Sequence, residues 1–222
     1  MSEDDFLIQK KIARTHYVVA FIGGFLGLFP IIYGAKIFGS SQTVNLMETV
    51  VGALKMDWQN VGLHLAGCAL YCLAVFLVTF LPCHTKINVK ICSMVVDVCA
   101  AFVMWKMPEN LPLTVYLFPT FFSMAFQWCA FSGAYGFVSS TIFSTNNLRQ
   151  AVSALTEVLF NKKKEFALKA KFFGATLLYF HIGVAVSFLL NRKFGNAGFL
   201  FVIIPAGFVV VRQFSFVKKD DD

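Results

Sequence analysis

Apolar residues collect along this chain in long runs, not in the short alternating stretches of a soluble β protein or the one-sided stripes of a soluble helix. Six runs stand out. Segment A extends from about Tyr17 to Phe38, B from about Val61 to Leu81, and C from about Ile87 to Trp105. Segment D extends from about Leu113 to Phe137, E from about Phe172 to Leu190, and F from about Phe194 to Val211. A bilayer-spanning helix needs roughly 20 predominantly apolar residues, so each run is a candidate span. Two weaker stretches lie between A and B and between D and E. Ser41 to Leu54 carries Gln42, Asn45 and Glu48, and Thr141 to Phe160 carries Asn146, Asn147, Arg149, Gln150 and Glu157. A helix over the first would rise only about 21 Å against a hydrocarbon core of roughly 30 Å. The second is long enough but too polar. Both are expected to be broken, re-entrant or interfacial helices.

The two weak stretches resemble one another. Placing the stretch that begins at Gly39 over the one that begins at Ile142 sets Thr43 over Thr145, Asn45 over Asn147 and Leu46 over Leu148. The runs that follow share an early glycine, Gly67 and Gly174. Each half then reads as one span, one short polar helix and two further spans. Three spans per half is odd, so the second half must be inverted relative to the first. The expected fold is an all-α, polytopic membrane helix bundle of six transmembrane helices and two short broken or re-entrant helices. It is a single membrane domain over 1–222, with repeats at 17–105 and 113–211.

Composition sharpens the class. The 222 residues are 58% hydrophobic and 14% charged, with a mean hydropathy of +0.70. Soluble domains run near 45–50% apolar and about 25% charged. A large soluble catalytic domain is excluded, and so is a nucleic-acid-binding module despite the net charge of +7. Most of the 19 Lys and Arg fall on one side of a six-span chain, among them Lys10, Lys11, Arg14, Lys86, Lys90, Arg149 and Lys162-Lys163-Lys164. That bias sets both termini in the cytoplasm, and the lysine run there is suited to anionic lipid. No cleavable signal peptide is expected, because an acidic and then basic start precedes a long apolar run. The six Cys (68, 72, 83, 92, 99 and 129) lie mostly inside apolar runs without metal spacing and read as small core residues.

The residues Gly23-Gly24-Phe25-Leu26, Gln42-Thr43-Val44-Asn45, Gln127 and Ser144-Thr145-Asn146-Asn147-Leu148-Arg149 resemble the pattern of the YoaK family of bacterial integral membrane proteins. The resemblance covers about Tyr17 to Val211. Many members read T-G-N where this chain has Val44 and Asn146 in the middle position. It implies residence in the bacterial cytoplasmic membrane and a candidate transporter, with no settled activity to carry over.

The polar residues inside the apolar frame are the candidate chemistry. Thr43, Asn45, Thr145 and Asn147 either bind a solute's polar groups or satisfy backbone groups freed where a helix breaks. Gln127, in the middle of segment D, either reads the solute or ties helices together. Asp97 in segment C should face the interior, because a carboxylate at mid-span costs about 2.5–3.5 kcal/mol on insertion scales. It is a candidate proton-coupling or cation group, or a structural partner for a neighbouring helix. His181 in segment E is the second intramembrane ionisable group, a coupling partner or a plain hydrogen-bonded histidine. Arg149 either binds an anion or anchors the helix. No phosphate loop, nucleophile elbow or zinc-protease motif is present, so no enzyme, no metal and no cofactor is expected. The function expected is passage of a small solute, with a non-transporting scaffold or accessory subunit as the alternative. The expected partners are that solute, membrane lipid, a homodimer mate and no nucleic acid.

Overall fold

The computed structural model describes residues 2–35 and 42–217, the last three by backbone alone. The end of segment A, the start of the first short stretch, and Lys36, Lys218 and Lys219 lie outside the described residues.

Helix α1 (Glu3–Gly27) begins far ahead of Tyr17 because it is capped. The Asp5 amide donates to Ser2 Oγ at 3.1 Å and the Ser2 amide donates back to Asp5 Oδ2 at 3.2 Å, which satisfies two of the orphan donors of a helix start. Pro30 opens the short continuation α2 (Phe29–Ile32), since a proline ring is tolerated only in a first turn. The first short stretch forms α3 (Gln42–Leu54). Segment B forms α4 (Trp58–His84), where Asp57 accepts from the Asn60 amide. Segment C forms α5 (Val89–Lys106), where Asn88 accepts from the Lys90 and Ile91 amides.

Segment D departs from a single span. A 3-10 turn over Leu113–Leu117 leads into α6 (Phe118–Ala130), and the helix stops seven residues before Phe137. Gly133 and Gly136 have φ of +140° and +74°, conformations open to glycine without penalty. They turn the chain through a small antiparallel hairpin of β1 (Gly133–Ala134) and β2 (Phe137–Val138). The second short stretch forms α7 (Thr145–Leu159) and segment E forms α8 (Ala167–Phe194). At Gly195, φ +59°, the chain reverses. A 3-10 segment over Gly195–Val202 folds back so closely that Gly198 lies against the backbone of Leu190 and Asn191, and α9 (Ile203–Val217) follows.

The architecture is all-α apart from the hairpin. Among the described residues three helical stretches are long and apolar enough to cross a membrane: Glu3–Ile32, Trp58–His84 and Lys164–Phe214. The last, of 51 residues, is the one folded back at Gly195. Two ends of the bundle can be told apart. At one, Arg212 on α9 donates to the Lys11 carbonyl at 3.4 Å and the Tyr135 amide donates to Gln9 Oε1 at 2.7 Å. At the other, Tyr33 stacks on Tyr116 with ring centroids 4.1 Å apart and accepts from Asn196, while Tyr116 donates to the Pro108 carbonyl at 2.7 Å. The start of α1 and the close of α9 therefore share an end. Between the two ends runs a core of Phe25, Phe29, Met94, Met104, Phe126 and Phe199.

Two contacts set the spacing. Helices α1 and α8 touch backbone to backbone: a Cβ on Gly24 would overlap the Phe180 carbonyl, and a Cβ on Gly183 would overlap the Phe21 carbonyl. Such small-residue crossings let helices approach more closely than any side chain allows. Helix α4 meets α6 where Gly67 lies against the Phe121 ring. Gly174, its partner in the sequence alignment, has open space around it instead. The short helices lie outside this core, α3 on α4 and α7 on α8. Each turns an apolar stripe outward, Met47, Val50 and Leu54 on one and Leu148, Val152, Leu155 and Leu159 on the other.

The cysteines do not build the core. Cys72, Cys83 and Cys99 are exposed, and Cys68, Cys92 and Cys129 are half-buried. An apolar run that reads as interior in a soluble protein can instead form the outward surface of a helix meeting lipid.

Gly24→Ala and Gly183→Ala should each destabilise the bundle by about 1–3 kcal/mol, the usual range for overpacking. Gly174→Ala should be neutral or slightly stabilising, because alanine is the better helix former by roughly 0.5–1 kcal/mol. Thermal unfolding in detergent distinguishes the two groups.

Candidate functional site

The paired asparagines are both buried, each near the start of its short helix. Asn45 Nδ2 donates to Gln42 Oε1 at 3.1 Å and to the His64 carbonyl at 2.9 Å. Its Oδ1 meets His64 Nδ1 at 2.8 Å. An amide oxygen can only accept, so His64 carries its proton on Nδ1. Helix α3 is thereby pinned to α4. In the second half, Asn147 Nδ2 donates to the carbonyls of Ser140 at 2.6 Å and Phe143 at 3.1 Å. Its Oδ1 accepts from Ser139 Oγ at 3.1 Å and from the Ser140 amide at 3.3 Å. All four hydrogen-bonding positions of that amide are filled. Ser139, having donated to Asn147, accepts from His16 Nε2 at 3.1 Å. One histidine thus supports each asparagine, through a direct bond in the first half and through Ser139 in the second.

The other sequence candidates divide by location. Thr43 and Thr145 are exposed. Gln127 is fully buried, and its Nε2 donates to the Val19 carbonyl at 3.2 Å and to Thr141 Oγ1 at 2.8 Å. That clamp joins α6, α1 and the segment after the hairpin, and it needs Gly23, where a Cβ would overlap the Thr141 carbonyl. His181 stands on the outer, exposed face of α8, with Nδ1 bonded to the Leu177 carbonyl one turn back. Arg149 is exposed and donates to Asn146 Oδ1. Asp97 is fully buried, as expected for a carboxylate in the middle of an apolar run. The structure does not bring Asp97 and His181 together, since one faces the interior and the other faces away from it.

His16 Nδ1 and Gln42 Nε2 have no partner among the described residues, and Asp97 departs furthest from the satisfied pattern because both of its oxygens lack one. It is the ninth of the 18 residues of α5, and neither carboxylate oxygen has a hydrogen-bond partner among the described residues. Ser93 Oγ, one turn before it, is also buried and unpartnered. Helix α6 packs against α5 and shows the same pair of features one turn apart: a buried, unpartnered Ser123 Oγ and Gln127 Oε1. Free acceptors and hydroxyls therefore lie on the interior faces of two adjacent helices. Among the described residues no three metal-ligating side chains converge.

Sequence reasoning missed His16, His64, Ser139 and Thr141. The two histidines carried a signal, since each is an ionisable ring within or beside an apolar run. Ser139 and Thr141 carried none, because their role depends on a hairpin the apolar pattern concealed.

A family model described as "Protein of unknown function (DUF1275)" matches residues 15–212, and the chain belongs to that family. No curated protein and no solved structure matches the chain.

Asn147→Ala strands the buried Ser140 amide and two carbonyls, and leaving buried polar groups unpaired costs roughly 1–3 kcal/mol each. The variant should unfold at a clearly lower temperature in detergent. Asn146→Ala, next door and exposed, should change stability by no more than about 0.5 kcal/mol.

Proposed function

We propose that this chain is a small secondary transporter of the bacterial cytoplasmic membrane in which Asp97 is the charge-exchanging group. The observation that carries this is the carboxylate at the midpoint of a buried helix face with no partner for either oxygen among the described residues. An ionisable residue at membrane depth is costly and is retained where it lines a solute or ion path. A proton, a small cation or a cationic solute group would neutralise it.

Six passes fit the contacts. Helices α1–α2, α4, α5, the 113–130 segment, α8 and the 195–217 segment alternate between the two ends, with the start of α1 and the end of α9 together. The excess of basic residues at that shared end supports a cytoplasmic location for it. An inverted repeat is supported by the exchange of partners: α1 of the first half packs on α8 of the second, and α6 of the second packs on α4 of the first. The short helix of each half is bound to the helix that follows it. The likeness to the YoaK family belongs to this reading.

The solute site is assigned differently from the sequence expectation. With their amides occupied, Asn45 and Asn147 hold the short helices in place, and Thr43 and Thr145 flank them on the exposed side. Gln127, whose Oε1 has no partner among the described residues, and Ser123 remain on the interior face beside α5. Opening between α5 and α6 would bring solvent to Asp97. The reading assigns no reaction to the chain. A non-transporting scaffold is the second reading, favoured by the complete internal use of Asn147.

Protein in liposomes loaded with a pH-sensitive dye, exposed to a pH step across a panel of solutes, tests the proposal. Wild type should move protons with at least one solute class, and Asp97→Asn should remain folded and lose that movement. Equal traces for both proteins and for empty liposomes would reject transport in favour of the scaffold.

A further inference from the structure

The shared end of α1 and α9 holds a feature that transport through Asp97 does not use. A cavity of ≈ 260 Å³ opens between the first turns of α1, the β1–β2 hairpin and the start of α8. Its cationic side chains are Lys10, Arg14 and Lys171, and its lining contains no carboxylate. None of the three makes an ion pair or a hydrogen bond with a described residue. The phenols of Tyr17 and Tyr135 add neutral donors. Every charged or hydroxyl group on the wall is therefore able to donate to an anion.

The remaining wall is apolar and rigid. Phe172 is fully buried and packs against Tyr17 at 5.9 Å and edge-on to Tyr135 at 6.0 Å. Phe6 packs on Tyr135 at 5.8 Å. The Tyr135 amide is tied to Gln9, so the hairpin is held against α1 and the cavity keeps its shape. Tyr17 sits where the apolar part of α1 begins, at the level where tyrosines gather at a membrane surface. The long Lys and Arg stems let their heads reach outward from such a wall.

We infer that this cavity binds a phosphate group. The arginine fork and two ammonium groups suit phosphate oxygens, and the aromatic wall suits an attached apolar portion. Phosphate could reach the cavity as the headgroup of an anionic phospholipid or as a free ion. The position of Tyr17 favours the lipid, whose acyl chains would run along Phe6 and Leu168.

The test uses the full-length protein in detergent. Bound phospholipid is read by native mass spectrometry, and thermal stabilisation is read on adding phosphatidylglycerol, phosphatidylcholine or inorganic phosphate. Wild type should retain phosphatidylglycerol and be stabilised by it at least tenfold more effectively than by phosphatidylcholine. The triple variant Lys10→Gln, Arg14→Gln, Lys171→Gln should lose that preference, as should Arg14→Gln alone to a lesser degree. The control Lys55→Gln, Lys106→Gln, Arg192→Gln removes the same charge from exposed positions away from the cavity and should keep it. Stabilisation of wild type by inorganic phosphate, lost in the triple variant, would assign the same cavity to a soluble phosphate. Equal losses in triple variant and control, or a wild type stabilised selectively by neither phosphatidylglycerol nor inorganic phosphate, would overturn the inference. None of these readouts involves Asp97, so the inference stands or falls apart from the transport proposal.

Discussion

In hydrocarbon, a backbone amide or carbonyl that leaves a helix has no water to turn to, so the chain itself must answer it. This constraint explains the polar chemistry around the long break in the chain. Where the chain breaks at 131–144, the carbonyls of Ser140 and Phe143 and the amide of Ser140 are taken up by the one side chain of Asn147. Where α3 lies on α4, Asn45 takes the His64 carbonyl and ring. Gln127 bonds the Thr141 hydroxyl in the 131–144 break and also reaches across the bundle to the Val19 carbonyl inside α1. Against that background an unanswered carboxylate stands out, because the same fold that satisfies its broken backbone leaves Asp97 open.

The second constraint is distance. The clamp of Gln127 works only because Gly23 lets the Thr141 carbonyl approach α1, and the next residue, Gly24, lets α8 do the same from another side. Two neighbouring glycines on one helix thus serve two interfaces. The crossing of α1 and α8 joins a helix of the first half to a helix of the second. Any relative movement of the halves would have to pivot about it or slide along it.

The apolar pattern made much of the fold legible. The long helices appear where the runs predicted, and the two short ones appear where polarity interrupted them. Asp97 faces inward because a mid-run carboxylate has few affordable alternatives. What stayed hidden depends on which face of a helix meets what. A run apolar all round does not say which side meets protein: the cysteines read as core residues and His181 as either a coupling partner or a plain hydrogen-bonded histidine, yet no cysteine is fully buried and His181 is exposed, bonded to the Leu177 carbonyl. The Phe137 end of segment D was hidden because a glycine hairpin and a helix end can be equally apolar. The Asn-Thr pairs were visible as a repeat, but their partners were not, since Ser139 and His64 are joined to them only by the folded chain.

In the transport proposal Asp97 holds a carboxyl group at membrane depth without a partner among the described residues, free to exchange a proton or a cation. Carbodiimide labelling of the reconstituted protein, mapped by mass spectrometry, addresses it directly. A membrane-permeant hydrophobic carbodiimide should modify Asp97, a water-soluble carbodiimide should not, and the coupling ion or solute should protect it. Modification by the water-soluble reagent alone would put Asp97 at the aqueous surface. No modification by either reagent would mean that the carboxyl is tied up by a partner, and both results contradict the claim.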